Sequence, residues 1–266
     1  MNRSRSAWLG SLYYTVLMVV LYLPIFMLIV FAFNDSTQLV LPFKGFTLKW
    51  FLKLSENREL LEAVRTSVFL GLGSSLTATA LGACGAIAIT RFRFPFKGLF
   101  TVIAALPLVI PYVILGVSLL ILYHEVGIPL SAWAAGLAHV VISLPYALLI
   151  ISSRLIGFPS NLEEAAMDLG ASYWGALWRV TLPICSPALL AAFLICFTIS
   201  FDEFAIASFL VGTQPTLPVY LYSQLRFPSR LPLVVALAAI LMVLSMAVVL
   251  ISERLRRVGA PTQSRS

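Results

Sequence analysis

The sequence predicts an all-α membrane protein with six transmembrane helices, for three reasons. The chain has 266 residues, of which 60% are hydrophobic and only 11% are charged. A soluble domain contains about 25% charged residues, so this chain has too little polar surface to cover a water-soluble globule. The mean hydropathy is high, at +0.98. Finally, six apolar runs meet or exceed the ~20 residues that a helix needs to cross the bilayer core.

The six apolar runs follow one another along the whole chain, with no repeat, low-complexity tract or linker between them. They cover residues 11–33, 65–90, 99–122, 132–152, 187–210 and 232–251. Arg3 and Arg5 precede the first run, as basic residues precede the apolar part of a signal peptide. This run is too long for a signal peptide and no small-residue cleavage site follows it, so we predict a retained helix. We predict a single transmembrane domain, 1–266.

Lys and Arg residues predict the orientation of these helices. The net charge is +7, but the basic residues lie in short loops, where they set the membrane orientation, so we expect no nucleic-acid partner. The loop 91–98 contains three basic residues, whereas the loop 123–131 contains none. The positive-inside rule therefore predicts both termini in the cytoplasm of a bacterial cell. The first outer loop runs against this rule, since it contains Lys44, Lys49, Lys53 and Arg58.

The first outer loop also contains a short amphipathic segment, 46–54, in which Trp50 lies beside Lys49 and Lys53. Phe and Leu residues accompany the tryptophan. Two interpretations stay open: an interfacial helix that lies on the membrane, or a helix that covers the outer mouth of the protein.

The glycine, cysteine and histidine residues predict helix packing rather than a reactive or metal-binding centre. The glycines of the second run predict close helix packing; they are Gly71, Gly73, Gly82 and Gly85. The three cysteines form no CxxC pair, and we predict small buried apolar side chains. The two histidines have no Cys or Glu neighbours at metal-ligand spacing. We therefore expect no metal and no cofactor in this chain.

The loop 153–187 is the longest inner segment, and it predicts two short helices joined by a bend. Ser160 or Asn161 can cap the first helix, and Glu163 or Glu164 follows at the spacing of a capping box. The acids also suit the helix dipole. Gly170 suits the left-handed residue that ends the first helix. We predict the second helix at 171–178.

The same loop carries a specific spacing. Glu164-Ala165-Ala166 is followed after three residues by Gly170, and then by Val180-x-Leu182-Pro183. Pro183 and Pro187 are predicted to mark the return to the membrane. With this signature and six apolar runs, the chain resembles the permease subunits of binding-protein-dependent ABC importers of type I.

Further segments narrow the resemblance within this family. They are Phe197–Glu203 in the fifth run, then Leu217-Pro218 and Tyr220–Ser223 in the last outer loop. With them, the chain is most similar to the second permease of spermidine/putrescine-type systems. The resemblance implies transport of polyamines or a related small cationic or amine solute.

The resemblance also implies a coupling helix that docks on a cytoplasmic ATPase. The residues it assigns to coupling are Glu164, Ala165, Ala166, Asp168, Gly170, Ala171 and Ser172. The implied partners are an ATPase dimer, a second homologous permease, a periplasmic substrate-binding protein and membrane lipid. Because the chain contains no GxxxxGK[ST] motif, ATP and Mg are expected on the ATPase and not on this chain.

Asp202 and Glu203 are charged residues within a predicted membrane helix. Such residues are costly there and usually face a cavity or a partner. We predict an anionic patch on the translocation pathway, with an ion pair to the second permease as the alternative. Three further candidates for the pathway are Thr198, Tyr112 and Tyr146. Prolines at 107, 111 and 145 predict broken or kinked helices nearby.

Two other function classes fit the sequence less well than an ATP-driven permease. An ion-gradient-driven transporter would use Asp202 and Glu203 as a cation relay, but it leaves the loop signature unexplained. An enzyme is not expected: adjacent acids diverge on a helix, and His139 and Ser143 have no acidic neighbour in the sequence.

Overall fold

The computed structural model describes residues 3–37, 42–157 and 161–258, and these form twelve α-helices with no β-strand. Asn34 and Phe46 form an isolated bridge. The helices are α1 (Arg3–Ala32), α2 (Lys49–Glu56), α3 (Arg58–Arg91), α4 (Lys97–Ala105), α5 (Tyr112–Val126), α6 (Ala132–Ile156), α7 (Asn161–Asp168), α8 (Tyr173–Ala176), α9 (Leu182–Asp202), α10 (Ala205–Leu210), α11 (Leu217–Gln224) and α12 (Leu231–Val258). The predicted all-α fold class is confirmed.

Contacts between helices divide the chain into two compact units. The first contains Met1–Arg58 and Leu221–Ser266, and the second contains Glu59–Tyr220. In the first unit, α12 packs against both α1 and α2. In the second unit, α6 packs along α9, and the short helix α10 packs against α5 and α6. Both candidate functional sites lie in the second unit.

Helix α2 turns its tryptophan into its own unit. Trp50 and Leu54 are buried, and Trp50 Nε1 donates a hydrogen bond to the carbonyl oxygen of Asn34 at 2.9 Å. Lys49 and Lys53 lie over the Trp50 ring, with their Nζ atoms 4.7 and 5.4 Å from its centroid. The tryptophan ring of this segment is therefore packed inside the protein.

Glycines allow α3 to approach its neighbours closely. A methyl group at Gly82 would lie 2.6 Å from Cβ of Ala147 and 3.0 Å from the backbone nitrogen of Leu148. A methyl group at Gly85 would lie 2.8 Å from Cδ1 of the same leucine. Gly71 is similarly close, at 3.0 Å, to the ring of a phenylalanine on α9. These contacts confirm the packing role predicted for Gly71, Gly82 and Gly85. The prediction is wrong for Gly73, because nothing in the described chain lies within 4 Å of an added methyl group there.

The close approach at Gly82 predicts a stability difference between two glycines of one helix. Gly82→Ala should lower the free energy of unfolding by about 1–3 kcal/mol, because the added methyl overlaps packed backbone. Gly73→Ala is the matched control, since nothing lies within 4 Å of its added methyl. Thermal unfolding of the detergent-solubilised proteins measures both effects. Equal unfolding midpoints for the two variants would contradict the packing described above.

Four of the described helical segments are long and apolar enough to cross a membrane. They are Gly10–Ala32, Arg58–Arg91, Ala132–Ile156 and Tyr173–Asp202. The segments Lys97–Leu108 and Tyr112–Val126 together would form a fifth span. This span is broken, because its two parts meet at an angle of 104°. Pro107 and Pro111 lie at this bend, where the sequence predicts an interruption. The sixth predicted run lies within α12.

The fifth predicted span, 187–210, differs most from the structure. One continuous helical segment runs over Tyr173–Asp202 and includes a π turn at Leu177–Thr181. The second short helix predicted at 171–178 is therefore the beginning of this long segment. The connecting loop is accordingly much shorter than the predicted 153–187.

The prolines of this segment do not break it, for two local reasons. Pro183 directly follows the π turn Leu177–Thr181, where the regular pattern of α-helical hydrogen bonds is already interrupted. Pro187 lacks the N–H that would bond the carbonyl oxygen four residues earlier. Ser186 Oγ donates to that carbonyl oxygen, of Pro183, at 2.8 Å. Serine hydroxyls satisfy freed backbone groups in this way within membrane helices.

The cysteines divide into two kinds of environment. Cys185 and Cys196 are buried, as predicted. Cys84 is exposed on α3, so the prediction of a buried side chain is wrong there. The helix turns its neighbours Gly82 and Gly85 towards α6, which leaves Cys84 on another face.

Candidate functional site

The first candidate site is α7 and the bend that follows it. Gly170 adopts φ = +93°, the left-handed conformation predicted for this position. The amide of Gly170 donates to the carbonyl oxygen of Met167 at 2.9 Å, and the amide of Ala171 donates to that of Ala166 at 3.0 Å. These two bonds form a Schellman motif, which satisfies the last carbonyls of α7 and fixes the bend.

Ser172 begins the next helix immediately after the bend. Its Oγ accepts a hydrogen bond from the amide of Gly175 at 3.1 Å, so it caps α8. Helix α8 continues through the π turn into α9. At the other end, Asn161 is the first residue of α7, and the predicted cap Ser160 lies outside the described residues. The helix α7 and the long segment after it are thus joined by a short, well-defined corner.

The residues of the loop signature lie on the surface of the second unit. They are exposed at Glu164, Ala165 and Asp168, and half-buried at Ala166 and Ala171. Leu169 lies between α7 and the bend and is 91% exposed, the most of any large apolar side chain in the described ranges. Leu169 therefore presents nearly its whole side chain to the surroundings at a bend of fixed geometry.

Glu163 is adjacent to Glu164 but turns inward and is buried. Its Oε1 accepts hydrogen bonds from Arg91 Nε at 3.0 Å and from Thr181 Oγ1 at 2.8 Å. The sequence predicts only a helix-capping role for this acid. No local signal identifies Arg91 as its partner, because the two residues are 72 positions apart.

The second candidate site lies where α9 ends. Helix α9 stops at Asp202, Glu203 is extended with φ = −72° and ψ = 120°, and α10 begins at Ala205. Glu203 is only 5% exposed. Its two carboxylate oxygens accept hydrogen bonds from the amides of Ile206 at 2.8 Å and Ala207 at 2.9 Å. Glu203 therefore marks the break in the fifth predicted span and caps the helix after it.

His139 of α6 extends this buried site. Its Nε2 lies 3.3 Å from Glu203 Oε2, an ion-pair distance without hydrogen-bond alignment. Its Nδ1 is 2.7 Å from Ser200 Oγ, which accepts a hydrogen bond from Ser74 Oγ at 2.9 Å. No acid lies near His139 in the sequence, but the packing of α10 on α6 brings Glu203 to it. The hydroxyl group of Ser143 is buried without a hydrogen-bond partner among the described residues.

The two acids at the end of α9 have different surroundings. Asp202 is exposed and lies one turn after Thr198, which is exposed on the same helix face. Glu203 faces the protein interior. Tyr112 is half-buried and lies near both Tyr146 and Glu203. The predicted pathway residues thus form an exposed pair on α9 and a group around the buried glutamate.

The chain has apolar helices long enough to span a membrane, an exposed corner at Gly170 and two acids at a helix break. These features together are those of a membrane permease subunit. The chain belongs to the family of binding-protein-dependent transport system inner membrane components, whose model matches residues 78–257. The match includes α7, the bend at Gly170 and both acids. Members of this family are multi-pass transport subunits of the inner membrane and not enzymes.

Several relatives of this chain are permeases named for polyamines. The chain is 36% identical to the spermidine/putrescine transport system permease protein PotC of Escherichia coli strain K12 over 244 residues, 91% of this chain and 92% of PotC. It is 37% identical to PotC of Haemophilus influenzae over 251 residues, 94% and 97% of the two chains. It is also 37% identical to the putrescine transport system permease protein PotI of E. coli K12 over 217 residues, 77% and 76%.

Solved structures support the fold independently. A chain of a bacterial ABC transporter that imports the acidic polysaccharide alginate superposes with a TM-score of 0.76 at 14% identity, covering 96% of this chain and 98% of that chain. A second structure of a bacterial alginate transporter, in complex with a pentasaccharide-bound periplasmic protein, gives a TM-score of 0.69 at 17% identity, covering 90% and 93%.

Proposed function

We propose that this chain is one of two permease subunits of an ATP-driven polyamine importer and forms half of its translocation pathway. The solute class comes from PotC and PotI, which resemble this chain over most of its length. The observation that carries the mechanism is the corner at Gly170. It holds Glu164 and Leu169 on the surface in a fixed geometry.

The corner is the surface that docks on the ATPase. Glu164 offers a carboxylate to a groove on that partner, and Ala165 and Ala166 allow close approach. Leu169 supplies an apolar anchor, since its side chain is almost fully exposed in the free chain. ATP and Mg bind to the ATPase, because this chain has no phosphate-binding loop of the GxxxxGK[ST] type.

The other partners follow from the same assignment. A second, homologous permease completes the pathway, a periplasmic substrate-binding protein delivers the solute, and an ATPase dimer supplies energy. The alginate transporter solved with its periplasmic protein offers a precedent for such an assembly. Docking places α7 in the cytoplasm, and both termini lie on that side. The loop 127–131 then faces outward, since it lies at the opposite end of α6 from α7.

Asp202 is the acid that meets the solute. It lies on an exposed face of α9 with Thr198, where a carboxylate stabilises a passing cationic amine. Glu203 contributes indirectly, because its carboxylate shapes the helix break beside Asp202. Tyr112 and Tyr146 line the approach to this break.

Reconstitution into liposomes tests the proposal. The chain, with its ATPase, second permease and binding protein, should accumulate spermidine only with internal ATP. Asp202→Asn should raise the spermidine concentration for half-maximal uptake about tenfold, equivalent to ~1.4 kcal/mol. Uptake of a neutral analogue should change little. The control is Glu125→Gln, an exposed acid at the end of α5. Uptake driven by an ion gradient with this chain alone would instead identify a secondary transporter.

A further inference from the structure

Arg91 lies where four helical segments meet. It is the last residue of α3, and its Nε donates to Glu163 Oε1 of α7 at 3.0 Å. Its Nη1 donates to the carbonyl oxygen of Leu155, in the last turn of α6, at 3.4 Å. Such carbonyls have no partner within their own helix, so an arginine that reaches them also joins two helix ends. One guanidinium therefore contacts two other helices directly.

Glu163 extends this junction to a fourth segment. The same Oε1 atom accepts from Thr181 Oγ1 at 2.8 Å, and Thr181 lies in the π turn that leads into α9. The side chains of Arg91 and Glu163 are each 12% exposed. Because both side chains are largely shielded from water, few water molecules compete for their hydrogen bonds. The ion pair is therefore held in a more fixed geometry than a pair on the surface.

A second contact connects the same parts of the protein. The ring of Phe92, next to Arg91, packs edge to face on that of Tyr173 of α8, with centroids 5.8 Å apart. The consecutive residues Arg91 and Phe92 thus contact the helices on both sides of the Gly170 bend, α7 and α8. Displacement of α7 alone would break the ion pair to Arg91 and the hydrogen bond to Thr181. Displacement of α7 and α8 together would also break the aromatic contact.

We propose that Arg91, Glu163 and Thr181 are positioning residues that transmit displacement of α7 to α3, α6 and α9 together. The two adjacent acids of α7 then have different roles. Glu164 contacts the ATPase, and Glu163 connects α7 to the membrane helices. The inference rests on the proposed function, because it takes α7 as the segment that the ATPase moves.

Neutralising the pair in the reconstituted transporter tests this inference. In Glu163→Gln and Arg91→Gln, the ATPase should still co-purify and hydrolyse ATP. Solute imported per ATP should fall at least ~5-fold, the lower end of typical coupling between sites. Arg93→Gln is the matched control, since this exposed arginine lies two residues further along. The double charge exchange Arg91→Glu with Glu163→Arg should restore part of the ratio.

The outcomes distinguish the positioning role of Arg91 and Glu163 from the proposed function as an ATP-driven importer. An unchanged ratio in both neutralised variants overturns the inference. Failure of the wild-type assembly to import with ATP overturns the proposed function instead. If the Arg91 or Glu163 variants fail to assemble, Thr181→Val keeps the side-chain shape and removes a single hydrogen bond. A wild-type ratio in Thr181→Val would then overturn the inference.

A distance measurement reads the mechanical connection directly. Spin labels at Asn161 and Arg93, in a Cys84→Ser background, report the separation between α7 and the end of α3. Their distance should stay constant when ATP binds to the wild-type assembly and should change or broaden in Glu163→Gln. A separation that changes with ATP in the wild type would show that the two segments move independently, against the inference.

Discussion

Leu169→Asp should abolish ATP-driven uptake while the protein still inserts into the membrane. The leucine is 91% exposed at the corner formed by Gly170, and burial against the ATPase would remove its side chain from water. A charged residue in the centre of that contact is desolvated without a partner. Loss of one such anchor costs about 2 kcal/mol or more, which corresponds to roughly 30-fold weaker docking. Co-purification of the tagged permease with the ATPase measures this loss.

The matched control for Leu169→Asp is Leu130→Asp. Leu130 is also an exposed loop leucine, but it lies at the other end of α6. It should leave co-purification at the wild-type level. Glu164→Lys should weaken docking in the same way as Leu169→Asp, and Glu125→Lys should not. Normal docking of both corner variants would rule out α7 as the contact with the ATPase.

Glu203→Ala should be the most destabilising substitution at the end of α9. It removes the acceptors of two buried amide groups, at Ile206 and Ala207, and leaves His139 without its acidic neighbour. Breaking a buried charged contact by deleting one partner costs about 3–5 kcal/mol. Thermal unfolding of the solubilised protein should therefore occur at a clearly lower temperature than in the wild type.

Two neighbouring variants separate this effect from a general loss of charge. Glu203→Gln keeps one side-chain acceptor oxygen, so its loss of stability should be smaller than that of Glu203→Ala. Asp202→Ala removes the adjacent acid, which is exposed, and should leave the unfolding temperature nearly unchanged. If the alanine variants at 202 and 203 unfold at the same temperature, Glu203 does not cap α10 as described.

The sequence predicted those features that depend on neighbouring residues. Long apolar runs require helices in a membrane, because every backbone group must find a partner within its own segment. Gly170 ends α7 in the left-handed conformation, which only glycine adopts at little cost. The loop signature likewise indicated the permease family that the comparisons show.

The ends of helices were predicted less well, because polar and proline residues were taken as boundaries. Ser186 compensates for Pro187 with a hydroxyl that bonds to a carbonyl oxygen one turn away, so the helix continues. Glu203 has the opposite effect, since its carboxylate bonds to amides ahead of it and starts a new helix. Composition alone does not distinguish these two uses of a polar side chain.

By itself, the amino-acid sequence determined the helical membrane class, the corner at Gly170 and the family, because each follows from local hydropathy, backbone preference or a fixed spacing. Only the tertiary structure decided which acid of each adjacent pair faces inward. Glu163 meets Arg91 across 72 positions, and Glu203 meets His139 on another helix. Glu163 and Glu164 point about 100° apart on α7, and Glu203 is extended beyond the end of α9. In both pairs the packing of neighbouring helices therefore selects which acid is buried.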